Sequence, residues 1–213
     1  YQPAYTMVAG GVLGNIDQTK KKESRYVTRE NSTMFAGSPG INWVKERIAS
    51  VDPENNSITT NAQQKFTYDV LVVAPGLELR WDLVKGAAEA LNDPAAPISS
   101  MYTLEGAYKM AKIREEFRGG NAVFTNPQQP IKCGGAPQKI MYLSEATFRR
   151  NKVRANTTVK WFSATPIWFP PQKTFSDAIV KIAASKDIES HFGHVLQSID
   201  KDNRVATFKT GQG

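Results

Sequence analysis

The sequence predicts an α/β protein built around parallel strands, with parts of two related domains in one chain. Three observations carry this. A strand, helix, strand succession runs from Ala122 to Ser163, the pattern of a βαβ unit. The run Tyr68–Ala74 (YDVLVVA), closed by Pro75-Gly76, is β-branched and apolar without alternation, as in a strand buried on both faces of a parallel sheet. Finally, Ser198–Thr207 echoes Ser50–Thr60 once a one-residue gap is allowed. Hairpins about 148 residues apart then read as one architecture used twice.

Each element follows from local chemistry. Trp43–Val51 mixes apolar and polar residues as a strand does, Asp52-Pro53-Glu54-Asn55-Asn56 supplies turn formers, and Ser57–Thr60 is the hairpin partner. The Tyr68–Ala74 strand closes this first part, residues 1–100. In the second part, residues 101–213, Thr103-Leu104-Glu105 opens a helix with Leu104, Ala107, Tyr108, Ala111 and Phe117 as its apolar positions. Gly119-Gly120 is its expected C-cap. A strand at Ala122–Thr125, a Pro/Gln loop, a helix from Pro137 to about Arg150, a strand at Thr158–Ser163 and a helix at Phe175–Ala184 follow.

Composition narrows the class. With 40% hydrophobic and 22% charged residues over 213 positions, the chain has the makings of a core and is not predominantly disordered. Its net charge of +7 favours anionic neighbours without choosing among them. No run approaches the ~20 apolar residues of a membrane-spanning helix. Basic and aromatic residues do not alternate, so nucleic acid is not an expected partner. The start at Tyr1 without methionine is read as an internal piece of a longer protein.

The single cysteine excludes an intrachain disulfide and is the leading site candidate. Cys133 stands at a strand-to-helix junction with Pro137 suited to the helix's first turn. Unpaired N–H groups, the positive end of the helix, and Lys132 and Lys139 would all favour the thiolate. A buried, inert cysteine fits the same position equally well. The glycine fingerprint that would mark a nicotinamide site, G-x-G-x-x-G, is absent at this junction, where only Gly134-Gly135 remains, and Gly10-Gly11-x-x-Gly14 matches it poorly. His191 and His194 lack a third ligand and read as surface histidines, so no metal is expected. Lys20-Lys21-Lys22 reads as a solvated loop, the alternative being contact with acidic phospholipid at a membrane surface. Pro166–Pro171 is a rigid aromatic loop, either covering the place a nicotinamide would take or packing on the helix that follows.

Lys132–Glu145 (KCGGAPQKIMYLSE) resembles the cysteine segment of the sulfide:quinone oxidoreductase family in its mitochondrial form. Tyr1-Gln2-Pro3 with Thr6, Gly40–Ile48 (GINWVKERI) and Gly120–Thr125 (GNAVFT) resemble other blocks of that family in the same order. The resemblance implies two dinucleotide-binding-like (Rossmann-type) domains of the flavin disulfide reductase class, both incomplete in this chain. It implies FAD as cofactor, with Gln2, Ile48, Ala74 and Gly76 at positions that meet it. It also implies oxidation of sulfide through a persulfide on Cys133, with Lys132 and Lys139 as electrostatic support. Electrons would pass to a membrane quinone, and the sulfane sulfur to an acceptor such as glutathione or sulfite. The family's second redox cysteine is expected outside this chain, as is the membrane-contacting region, and the implied location is the mitochondrial inner membrane. Bacterial members place a glutamate where this sequence has Lys139, which favours the mitochondrial form and removes a carboxylate base. The alternatives are a nicotinamide-dependent flavin disulfide reductase, a type II NADH dehydrogenase, and a non-catalytic module of the same fold.

Overall fold

A computed structural model describes residues 5, 8, 9 and 29–211. Gln2, Lys20-Lys21-Lys22 and the glycines at 10, 11 and 14 lie outside them. The chain forms two compact units, residues 28–78 and the remainder.

The smaller unit contains a short helix α1 (Asn31–Phe35) and an antiparallel meander of β1 (Ile48–Asp52), β2 (Ser57–Thr60) and β3 (Lys65–Thr67). β1 begins later than the sequence suggests, and β2 coincides with its expected span. The turn between them is set by its own side chains. Asn55 donates through its backbone N–H (3.2 Å) and its amide (2.8 Å) to the two carboxylate oxygens of Asp52. These bonds hold the Asp52 carboxyl below its ordinary value.

Tyr68–Ala74 is not a strand. The segment bends at residues 69–70 and joins no sheet among the described residues, and Val70, Val72 and Val73 are 81%, 83% and 70% exposed. A strand apolar on both faces needs neighbours on its edges and cover on its faces. The strands of this unit are already consumed by the antiparallel meander.

In the larger unit the expected βαβ arrangement is present and extended. β4 (Gly120–Asn126), β5 (Thr157–Ser163) and β6 (Ile188–Phe192) form a parallel sheet in that order, connected by α4 (Ala136–Arg150) and α5 (Lys173–Ser185). Along β5, Thr157, Val159, Trp161 and Ser163 turn into the core while alternate residues are half-buried. Ala122 and Phe124 from β4 join them, as do Ile140, Met141 and Phe148 from α4, Ala183 from α5, and Val8 and Ala9. α2 (Ala87–Asn92) and α3 (Leu104–Glu116) precede the sheet. The Thr103 hydroxyl caps α3 by accepting from the Gly106 N–H at 3.0 Å. Gly119 and Gly120 do not cap α3, which ends at Phe117 in extended conformation. Gly119 has φ +120, and a Cβ there would stand 2.8 Å from the Asn156 carbonyl oxygen, so this glycine serves a close approach at the start of β4.

The hairpin of β7 (His194–Asp200) and β8 (Val205–Thr210) repeats the β1–β2 hairpin in detail. Asn203 donates to both oxygens of Asp200, at 2.9 and 2.8 Å, as Asn55 does to Asp52. Asn56 and Arg204 take positive φ at the same point of the turn (46 and 55). Pairing shifts at Ile48/Ser50 in one hairpin and at Leu196/Ser198 in the other. With Asp52 opposite Ser57 and Asp200 opposite Val205, the two match without the gap the sequences required.

Gly86, at φ +79, precedes α2 where Lys85 exchanges backbone hydrogen bonds with β7, its N–H to the Gln197 carbonyl (3.0 Å) and its carbonyl from the Ile199 N–H (2.8 Å). A side chain there would collide with the Ile199 carbonyl oxygen. Gly86→Ala is expected to lower the unfolding free energy by about 3 kcal/mol, measured by denaturant titration. An unchanged midpoint would show that residue 86 and β7 do not meet this closely.

Candidate functional site

Cys133 lies in the loop between β4 and α4, at the carboxyl end of a parallel strand, where open α/β sheets bind ligands. Two features fix this loop. Asn126, the last residue of β4 and buried, donates from its amide to the Ser163 hydroxyl at the end of β5 (3.0 Å). Ser163 in turn bonds Thr165 (2.7 Å), and the Thr165 hydroxyl donates to the Ile167 carbonyl (2.8 Å), so the loops leaving β4 and β5 share one buried polar chain. At the other end, the Ala136 N–H donates to the Cys133 carbonyl (3.1 Å), closing the turn into α4. Pro137 occupies the first turn as expected, and no side chain caps Gly135.

Cys133 is half-buried and packs against the hydrophobic core. Lys132 and Lys139 are both exposed, and neither side chain enters an ion pair or hydrogen bond among the described residues. Beside them runs a groove of about 290 Å³ lined by Gly135, Gln138, Lys139, Tyr142, Phe169, Phe175 and Ile179. The Pro166–Pro171 loop forms one wall. Trp168 is buried and stacked on Trp161 with centroids 5.0 Å apart, and Phe169 lies 6.2 Å from Phe175. The aromatic loop therefore packs against both α4 and α5.

Farther along α4, Glu145 is fully buried and faces Arg149, Arg154 (3.4 Å) and Lys186 (3.1 Å). Buried Arg114 of α3 reaches the Thr147 hydroxyl and the Ala9 carbonyl (3.1 Å). Gln138 and Glu145 escaped the sequence reading as buried polar residues. Their signal was present, since both fall at helical spacing with Met141 and Phe148, on the face turned inward.

Of the residues matched to FAD, Ile48 opens β1 and is 51% exposed. Ala74 and Gly76 lie in the segment after β3, exposed, Gly76 at φ +77 with nothing within 4 Å of where a Cβ would stand. Open backbone of this kind fits residues that meet a bound dinucleotide. These three belong to the smaller unit and Cys133 with its lysines to the larger. His191 lies on β6, stacked on Phe162 at 4.4 Å, and His194 donates from Nδ1 to the Phe192 carbonyl (2.8 Å). No helix among the described residues is long and apolar enough to cross a membrane.

No family model matches the chain. Solved structures share its fold over nearly its whole length. A chain in the cryo-EM structure of the Tetrahymena thermophila mitochondrial ATP synthase aligns over 98% of this chain and 49% of its own (TM-score 0.72, 16% identity). The sulfide:quinone oxidoreductase of Aquifex aeolicus aligns over 98% and 47% (TM-score 0.65, 17% identity). A ferredoxin reductase of Rhodopseudomonas palustris and a NAD-dependent persulfide reductase of A. fulgidus are among the further neighbours, and the chain shares their fold as well. Sequence is more specific. The mitochondrial sulfide:quinone oxidoreductases of Dictyostelium discoideum and Mus musculus are each 34% identical to this chain, over 100% and 98% of it. The chain is thus a relative, end to end, of the mitochondrial sulfide:quinone oxidoreductases, and it spans less than half the length of the curated relatives it matches, 44% and 43%.

The Tyr142 hydroxyl is buried without a hydrogen-bond partner, and burial pushes its phenol up to about 12. The neutral phenol is the form that suits the folded protein. Its contribution to stability is complete below pH 10, the ordinary value, and is lost as pH rises from there toward about 12. Tyr142→Phe is expected to flatten that decline while leaving stability at pH 7 within about 0.5 kcal/mol, read from urea melts at each pH. An identical slope in the variant would place the alkaline loss elsewhere.

Proposed function

We propose that this chain is part of a mitochondrial, inner-membrane-associated enzyme that oxidises sulfide and passes electrons to a membrane quinone. One observation carries the reading. The only cysteine sits at the amino end of α4, half-buried and flanked by two unpaired lysines, within a sequence related over its full length to sulfide:quinone oxidoreductases. Residues 1–100 on this reading belong to the FAD-binding domain and 101–213 to a second dinucleotide-binding-like domain.

Cys133 carries the sulfane sulfur. Sulfide attacks the Cys133 sulfur of a bridge between Cys133 and a second cysteine outside this chain; the S–S bond breaks, the second cysteine leaves as a thiolate carrying the electron pair, and a persulfide remains on Cys133. An acceptor such as glutathione or sulfite then attacks the outer sulfur of the persulfide, and the Cys133 thiolate leaves. Lys132 and Lys139 draw the anionic sulfur species toward the site and stabilise the leaving thiolate. Gln2, Ile48, Ala74 and Gly76 would hold FAD, which supplies two-electron acceptance from sulfur and passes the electrons on.

A second reading, a non-catalytic module, draws support from the ATP synthase chain of the same fold. Replacement of Cys133 by serine in the full-length protein separates them. Sulfide-dependent quinone reduction is expected to fall by at least about a hundredfold, as when a covalent nucleophile is removed, with flavin still bound. Undiminished turnover in the variant would refute the persulfide role, and a parent protein with neither flavin nor turnover would favour the module.

A further inference from the structure

Gln138 does something that the persulfide chemistry of Cys133 leaves unexplained. It is a polar residue in the first turn of α4, only 5% exposed, and its amide donates to the backbone carbonyl of Trp168. The backbone N–H of Trp168 in turn donates to the Ser176 hydroxyl on α5 (3.1 Å), itself buried. Trp168 is therefore gripped on both sides of its backbone while its ring is stacked on Trp161. The next residue, Phe169, lies on the Cys133 loop. A Cβ at Gly134 would stand 3.4 Å from Phe169 Cε2 and 3.9 Å from Cδ2, so the ring rests against the residue that follows the cysteine. Gly134 thus leaves room for a ring, and Gln138 fixes where that ring goes.

We propose that Gln138 is a positioning residue that clamps Phe169 over the Cys133–Gly134 turn, so that access to the Cys133 sulfur is graded by the size of the approaching molecule. The proposal rests on Cys133 being the reactive sulfur, and it names what selects the sulfur species that reach it. Loss of the Gln138 amide frees the loop and lets larger reagents in. Loss of the Phe169 ring does the same directly, and after that Gln138 has nothing left to hold.

The test uses alkylation of Cys133 in the full chain, located by peptide mass spectrometry, with iodoacetamide as the small reagent and an aromatic maleimide as the bulky one. The readout is the ratio of the bulky to the small rate at one pH, which a uniform change in thiol ionisation affects far less than a change in access. Gln138→Met keeps the volume and removes the donor. It is expected to raise the ratio about fivefold, the scale of one lost neutral hydrogen bond, and Phe169→Ala to raise it at least as much. The double variant should equal Phe169→Ala alone. An unchanged ratio in Phe169→Ala, or independent effects that multiply in the double variant, would overturn the clamp. Should Gln138→Met fold poorly, Ser176→Ala loosens the grip on Trp168 from the other side, by removing the hydroxyl that accepts from its backbone N–H, and must show the same dependence on Phe169. Altered ratios together with full sulfide oxidation in Cys133→Ser would keep the clamp and discard the persulfide role.

Discussion

The Glu145 carboxylate, enclosed in the protein with three cations around it, is the constraint on which the rest of the larger unit depends. A buried carboxylate without partners would be untenable, and removing one partner from such a group typically costs about 3–5 kcal/mol. Arg149, Arg154 and Lys186 each come from a different place: the last turn of α4, the short turn before β5, and the end of α5. Arg154 also donates to the carbonyls of Thr157 and Asp187, and of Lys186, so one guanidinium joins the beginning of β5 to the last turn of α5. The carboxyl end of the cysteine helix is thereby locked to the next βα connection. Its amino end is held through the Trp168 backbone.

This places Cys133 just ahead of a helix that is held at both ends. The polar chain through Asn126, Ser163 and Thr165 aligns the strand ends, and α4 starts from the loop between them. Precision at Cys133 owes more to backbone carbonyls and buried amides than to charged contacts, because the two nearby lysines are free in solvent.

The βαβ core was legible in the sequence because each of its elements satisfies its own local rule. Thr157–Ser163 alternates, Thr103 caps, and Pro137 begins a helix, and each does so in the structure. The Asp-x-x-Asn turns were legible for the same reason, since the side chains that make the turn lie within it. Tyr68–Ala74 failed because its rule is not local. A doubly buried strand depends on partners that its own sequence does not contain. Gly119 misled in another way, its positive φ serving an approach by Asn156, 37 residues away, rather than a helix end. At the site, Cys133 stands out as a candidate from the motif around it, whereas Gln138 and Phe169 acquire meaning only once a loop 30 residues downstream is folded onto the helix.

The exposed valines of the 70–73 stretch carry a consequence for solution behaviour. A segment outside any sheet with three bare β-branched side chains is a place where another apolar segment can pack, including the same one in a second copy. Nothing in its own sequence between Asp69 and Glu78 interrupts the pattern with a charge, and Pro75 alone limits its length. In this conformation the chain carries its own adhesive strip, opposed by the mutual repulsion of molecules that each bear seven positive charges in excess. Added salt screens that repulsion and leaves the strip untouched, so ionic strength becomes the variable that decides between dispersed and associated protein.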